Sequence, residues 1–161
     1  MTHHPQILFD ELWSRYNRKI YTYFRRQFDD HTAEDLTQQT YLNAWRYISA
    51  YPNSYIKQNK AWLFTVARNV KNDHLRYVQI HRMNFNYESL FEADIAIECN
   101  IDESVALHKA LLSLNTEERQ LLAMAEHLTS KEIGSVLGIS ASAVRSRIQS
   151  AKQHLKNHLS D

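Results

Sequence analysis

Six side chains near the C-terminus, Ser142, Arg145, Ser146, Arg147, Gln149 and Lys152, carry the chemistry that reads a DNA duplex. Small hydroxyls and amides donate and accept at base edges, and arginine or lysine reaches phosphate oxygens or guanine. With Val144 taken as the origin of a helix at about 100° per residue, Ile148, Ala151 and Leu155 collect in one narrow apolar stripe. Ser142, Ser146, Gln149 and Gln153 take the far side, with Arg145 and Arg147 on opposite shoulders. Lys152 and Lys156 extend the positive charge along the same helix. Other chemistry finds little support. His154 and His158 have the i, i+4 spacing of a metal pair, yet no third ligand or catalytic glutamate accompanies them, and a helix end favours such cations anyway. The His3-His4 pair and Cys99 form no ligand set of fixed spacing. No glycine-rich phosphate loop and no nucleophile motif occurs, so we expect no metal, no cofactor, no small-molecule substrate and no enzymatic activity.

The element that must hold those six residues is a helix-turn-helix. In "LTSKEIGSVLGISASAVRSRI" a short amphipathic helix, Glu132–Leu137, stops at Gly138, where glycine permits a left-handed turn. Ile139 plugs the gap between helices, and Ser140 or Ser142 caps the second. Two more helices precede it: Val105–Leu114, and "NTEERQLLAMAEHL", capped by Asn115 or Thr116. The short helix itself opens after Thr129 or Ser130.

The N-terminal half holds three longer helices. Phe9–Phe28 presents Leu12, Trp13, Tyr16, Ile20, Tyr23 and Phe24 at helical spacing. "DDHTAED" interrupts it, with Thr32 and Asp35 placed to cap the next helix. That helix ends at Tyr51-Pro52, because the residue before proline is pushed out of helical geometry. Ala33, Leu36, Tyr41, Ala44, Tyr47 and Ile48 share its core side. Its opposite side is polar (Asp35, Gln38, Gln39, Arg46) apart from Leu42 and Trp45. A wet tryptophan wastes about 1.5–3 kcal/mol of burial, so Trp45 either serves an interface or packs on the first helix. After the loop "PNSYIKQNK", a third helix spans Ala61 to about Val78.

Composition agrees with an all-helical chain. The 161 residues include only 2 glycines and 2 prolines, against 43% hydrophobic residues, so helices with short polar turns are favoured over hairpins. No apolar run is long enough to cross a membrane, the N-terminus lacks a signal peptide's features, and the one cysteine cannot form an internal disulfide. These point to a cytoplasmic protein without membrane insertion. The net charge of +1 hides strong segregation. Residues 52–82 carry six basic and one acidic side chain, residues 83–104 six acids and no Lys or Arg, and residues 105–161 seven basic and five acidic. Two cationic surfaces flank an anionic connector. We therefore expect domains at 1–82 and 105–161, joined by an acidic linker at 83–104.

Both halves together resemble a bacterial RNA polymerase sigma factor of the extracytoplasmic-function, sigma-70 group IV type. "AEDLTQQTYLNAWRYI" is similar to the family's AEDLvQetFlrAWr, "AWLFTVARNVKNDHLR" to WLf-IArN---D-lR, and "LTSKEIGSVLGISASAVRSRI" to LsyeEIAeiLgiS-gTVrSRl. The match covers about residues 8–80 and 104–159. A helix-turn-helix alone also fits a stand-alone regulator of the LuxR-like type, which would bind duplex DNA as a dimer; the ordered combination of three motifs is what singles out the sigma family. The resemblance implies a region 2 bundle and a four-helix region 4 domain. It implies docking of Asp35, Gln38, Gln39, Leu42 and Trp45 on the clamp of the polymerase's largest subunit, with the flap of the second subunit as a further partner. It assigns Asn53, Lys57, Asn59, Lys60, Arg68, Asn69, Asp73 and Arg76 to the opened −10 promoter element, and the six α-helical residues above to the −35 element. An anti-sigma factor is implied as regulator. The chain departs from the pattern at Gln39, where glutamate is usual, at Gly134, where alanine is usual, and at Thr129, which follows His127-Leu128 where a glycine usually precedes the short helix. The loop after Tyr51 is longer and more polar than in many relatives.

Overall fold

The computed structural model describes residues 4–53, 56, 59–85 and 102–160. Every element among them is an α-helix, and the chain divides into two compact units, Met1–Ala96 and Ile97–Asp161.

The first unit contains α1 (Pro5–Arg25), α2 (Asp30–Ala50) and α3 (Asn59–Phe85), each packed on the other two. Proline begins α1, where its missing N–H costs nothing. The cap of α2 is Asp29, not Thr32: one carboxylate oxygen accepts the Thr32 N–H at 2.8 Å and the other the Thr32 hydroxyl at 3.0 Å. A carboxylate takes two bonds where a threonine hydroxyl would take one, so Asp29 wins the position. Partial burial pushes the Asp29 pKa up, but these bonds outweigh it and hold the group below the usual carboxylate range.

Helix α2 buries Ala33, Leu36, Thr37, Thr40, Tyr41, Ala44 and Ile48. Thr37 and Thr40 enter the interior because their hydroxyls donate to the carbonyls of Ala33 and Leu36, both at 2.7 Å. Tyr41 donates to the Leu12 carbonyl at 3.3 Å, which fixes α2 to α1. The centre is aromatic: Tyr23 lies edge-on to Phe64 at 5.5 Å and against Phe24 at 5.1 Å. Helix α3 runs beyond Val78 to Phe85, so its last three residues occupy the start of the expected linker. Tyr77 and Ile80, just before them, are exposed, which explains why apolar periodicity fades before the helix ends. Residues 86–101, most of the acidic segment, lie outside the described residues.

The second unit contains α4 (Asp102–Ser113), α5 (Thr116–Ala125), α6 (Ser130–Leu137) and α7 (Ala141–Ser160), with α4, α5 and α6 all packed on α7. Asn115 and Thr129 cap α5 and α6, each in a reciprocal box closed by Glu118 or Glu132. Gly138 adopts φ 70° at the end of α6, and Ser140 accepts the Ala143 N–H at 3.1 Å. Gly134 has a reason that propensity alone hides. A Cβ at this position would sit 2.6 Å from the Ile139 carbonyl oxygen, which is backbone and cannot swing away. Glycine here lets the turn close tightly over α6.

Two stability tests follow from these contacts. Gly134→Ala, which on helix propensity should gain about 1 kcal/mol, should instead lose about 1–3 kcal/mol in urea unfolding of the full chain. Asp29→Ala should cost about 1 kcal/mol at neutral pH. Because the folded Asp29 pKa is depressed, that difference should be intact above the ordinary carboxylate pKa and vanish as pH falls through the folded value. Paired urea titrations across that range check it.

Candidate polymerase and nucleic-acid interfaces

On α2, Asp35, Gln38 and Gln39 are exposed, and Leu42 keeps 43% of its surface open to solvent. Gln39 donates to Asn43 at 2.8 Å and Asp35 pairs loosely with His31 at 3.7 Å, so none of these side chains is drawn inward. Trp45 differs. It is half-buried, edge-on to Phe9 of α1 at 5.2 Å and 75°. The wet face therefore holds Leu42 outright, while Trp45 closes the α1–α2 seam and shows only part of its ring.

The expected −10 residues separate into groups. Asn69, Asp73 and Arg76 recur at i, i+4 and i+7 and are all exposed on one face of α3, with Arg76 donating to Asp73 at 3.3 Å. Asn53 is exposed just after Pro52; Lys57 lies outside the described residues. Asn59 and Lys60 form the half-buried first turn of α3. The Asn59 Oδ1 atom is buried without a hydrogen-bond partner. Arg68 points to a different flank, half-buried near Tyr23. Burial pushes the Tyr23 pKa up, and the Arg68 charge opposes that rise only in part. Arg68 thus stands apart from the Asn69 face.

Tyr47, expected in the core, is instead 39% exposed. Its ring meets Tyr51 at 5.1 Å and Trp62 at 5.4 Å. It lies on the edge of α2 that meets Trp62 in the first turn of α3. The i, i+4 spacing of Tyr47 and Tyr51 was the available signal, but a single-helix projection could not show that Trp62 would join them.

In the second unit all six expected residues of α7 are exposed. Val144 and Ala151 are buried beneath them. Arg145, Gln149 and Lys152 open onto a groove of about 570 Å³ floored by Leu128 and Ile148 and bounded by Thr129 and Ser130. Ser142 and Ser146 continue that face, and Arg147 stands on the opposite shoulder. His154 is engaged elsewhere: its Nδ1 lies 2.5 Å from Glu118 Oε1, the same carboxylate whose other oxygen accepts the Asn115 N–H in the α5 cap. Arg119 donates to the Leu114 carbonyl at 2.9 Å, and burial lowers its pKa. Among the described residues no three His, Cys, Asp or Glu side chains converge as a metal site, and no helix is long and apolar enough to cross a membrane.

The Sigma-70 region 2 family matches residues 12–79, and the Sigma-70 region 4 family matches residues 104–155. The ECF RNA polymerase sigma factor SigM of Bacillus subtilis is 31% identical over 156 residues, which cover 91% of this chain and 92% of that one. The chain belongs to the ECF RNA polymerase sigma factors. Two solved structures share the fold at 22% identity. The sigma factor RpoE of Bartonella quintana, in complex with the anti-sigma factor NepR, gives a TM-score of 0.65 over 96% of this chain and 93% of that one. CnrH, in complex with the cytosolic domain of CnrY, gives 0.67 over 94% and 87%.

The geometry separates two neighbours on α2. Trp45→Ala should lower stability by about 2 kcal/mol, since its ring closes the seam with Phe9. Leu42→Ala should stay within about 0.5 kcal/mol, as exposed positions do. Thermal melts of the two variants followed by circular dichroism check the contrast.

Proposed function

We propose that this chain binds core RNA polymerase through the exposed face of α2 and gives the polymerase promoter selectivity through two separate DNA-reading surfaces. The observation that carries the reading is Leu42, held open to solvent among Asp35, Gln38 and Gln39 on a helix whose other sides are packed. An aliphatic side chain ringed by polar groups is suited to a protein interface with a dry centre and a wet rim. Trp45 adds the edge of its ring to this surface while its face stays on Phe9.

In this reading residues 1–82 form the polymerase-binding and −10-reading domain, 83–104 the linker, and 105–161 the −35-reading domain. Asn69, Asp73 and Arg76 face the opened −10 strand from α3, with Asn53, Lys57, Asn59 and Lys60 in and beside the preceding loop. Arg68, tucked toward Tyr23, shapes that surface from below. On α7, Ser142, Arg145, Ser146 and Gln149 approach base edges in the −35 major groove, while Arg147 and Lys152 hold phosphates. Nucleotidyl transfer belongs to the polymerase, not to this chain. The protein acts in the cytoplasm, and an anti-sigma factor restrains it by covering the surface that polymerase needs. Support for that last element comes from the fold shared with RpoE, whose structure contains an anti-sigma factor.

Run-off transcription on a promoter library, with and without core polymerase, tests the proposal. Specific transcripts should require both proteins, and Arg145→Ala should reduce them at least tenfold on promoters that depend on the −35 element. Removing a phosphate contact, as in Lys152→Ala, should flatten the salt dependence of promoter binding by about one unit of log–log slope. Tight palindrome binding by a dimer of the chain alone, with no gain on adding polymerase, would overturn the reading.

A further inference from the structure

The groove beside α7 has an apolar floor that a DNA backbone would not use. Arg145, Gln149, Lys152 and Lys156 recur at i, i+4, i+7 and i+11 and form one straight edge about 16 Å long. Every charged side chain that lines the groove of about 570 Å³ is cationic. Among the described residues none of those three cations is drawn into an ion pair. The floor is different in kind: Ala125 and Ile148, both half-buried, lie with Leu128 between that edge and the turn from α5 to α6. Thr129 and Ser130 close the far side. The acids nearest in sequence, Glu126 and Glu132, do not line the groove, and Glu132 accepts the Thr129 N–H at 2.7 Å. Phosphates would meet the cations and leave the floor wet.

We infer that this groove is also a docking site for an acidic amphipathic helix of a partner protein, with carboxylates along the α7 edge and aliphatic side chains on the floor. A straight edge with helical spacing matches a helix laid alongside it, whose anchors recur at the same intervals. Three cations without internal partners select a negatively charged occupant. The apolar floor selects against a bare polyanion, because only an occupant with aliphatic side chains removes that surface from water. Such a helix covers Arg145, Gln149 and Lys152, so it and the −35 duplex exclude one another. That consequence rests on the −35 reading above, whereas the docking itself does not.

Fluorescence anisotropy of the full chain tests this with a labelled synthetic helix-forming peptide. The peptide carries glutamate at i, i+4, i+7 and i+11 and leucines on the adjoining face, and its control has serine in place of every leucine. The leucine peptide should bind at least tenfold more tightly than the serine peptide and should displace a −35 duplex bound at low salt. Ala125→Gln, which fills the floor, should weaken the leucine peptide at least tenfold and leave duplex binding within twofold. Lys156→Ala should weaken the leucine peptide several-fold, more so at low salt, and it decides the matter if Ala125→Gln melts early. Equal binding of the two peptides, no binding of either, or leucine-peptide binding that both variants leave unchanged would overturn the proposal. Self-association of the chain, or binding to core polymerase, that Ala125→Gln abolishes while neither peptide binds would assign the groove to that occupant and overturn it as well. Failure of the duplex to bind while the leucine peptide binds as expected would sink the −35 reading and leave the docking site standing.

Discussion

Helix α2 is held from two sides, and that constraint determines what its third side can do. Tyr41 ties it to α1 through the Leu12 carbonyl, and its small and threonine positions let α1 and α3 approach closely. Thr37 and Thr40 satisfy their own hydroxyls within the helix, so the contact surface demands no outside partner. With those sides committed, Asp35, Gln38 and Leu42 have only solvent or another protein to face. The open face of α2 is thus a consequence of how the bundle closes.

The second unit uses a comparable device. The turn between α6 and α7 is tight because Gly134 brings the Ile139 carbonyl within a distance no side chain would allow, and because Gly138 takes a left-handed backbone. Two capping boxes fix the starts of α5 and α6, and the Glu118–His154 contact ties α5 to the body of α7. Glu118 does double work: it satisfies the start of α5 and holds α7 from the side away from the Arg145–Gln149–Lys152 groove. Rigid support behind an exposed polar face keeps several hydrogen-bonding groups in fixed register, as duplex recognition demands.

Most of the helical architecture was legible in the sequence because glycine and proline punctuate it so sparingly and apolar spacing marks each packed face. The stripe of Val144 and Ala151 and the exposure of all six α7 residues followed from one helical projection, and the turn at Gly138 from glycine's backbone freedom at a helix end. The errors have a common cause. A projection treats each helix alone, and it cannot see which neighbour covers which edge. Trp45 kept two readings, an interface or packing on α1, because Phe9 is thirty-six positions away in sequence. Tyr47 read as core because nothing in α2 says that its ring would meet Trp62 at the half-open edge with α3. Arg68 sat in the same motif as Asn69, yet one residue on a helix turns a side chain through about 100° and carries it to another face. Gly134 looked like a weak helix former until the Ile139 carbonyl appeared beside it.

Placing a photo-crosslinking residue at position 42 of the full chain and irradiating it with core RNA polymerase interrogates the docking face at its centre. The account predicts one dominant adduct, between this chain and the largest polymerase subunit, that promoter DNA neither creates nor removes. Crosslinks confined to the chain itself, or arising only when DNA is present, would contradict it.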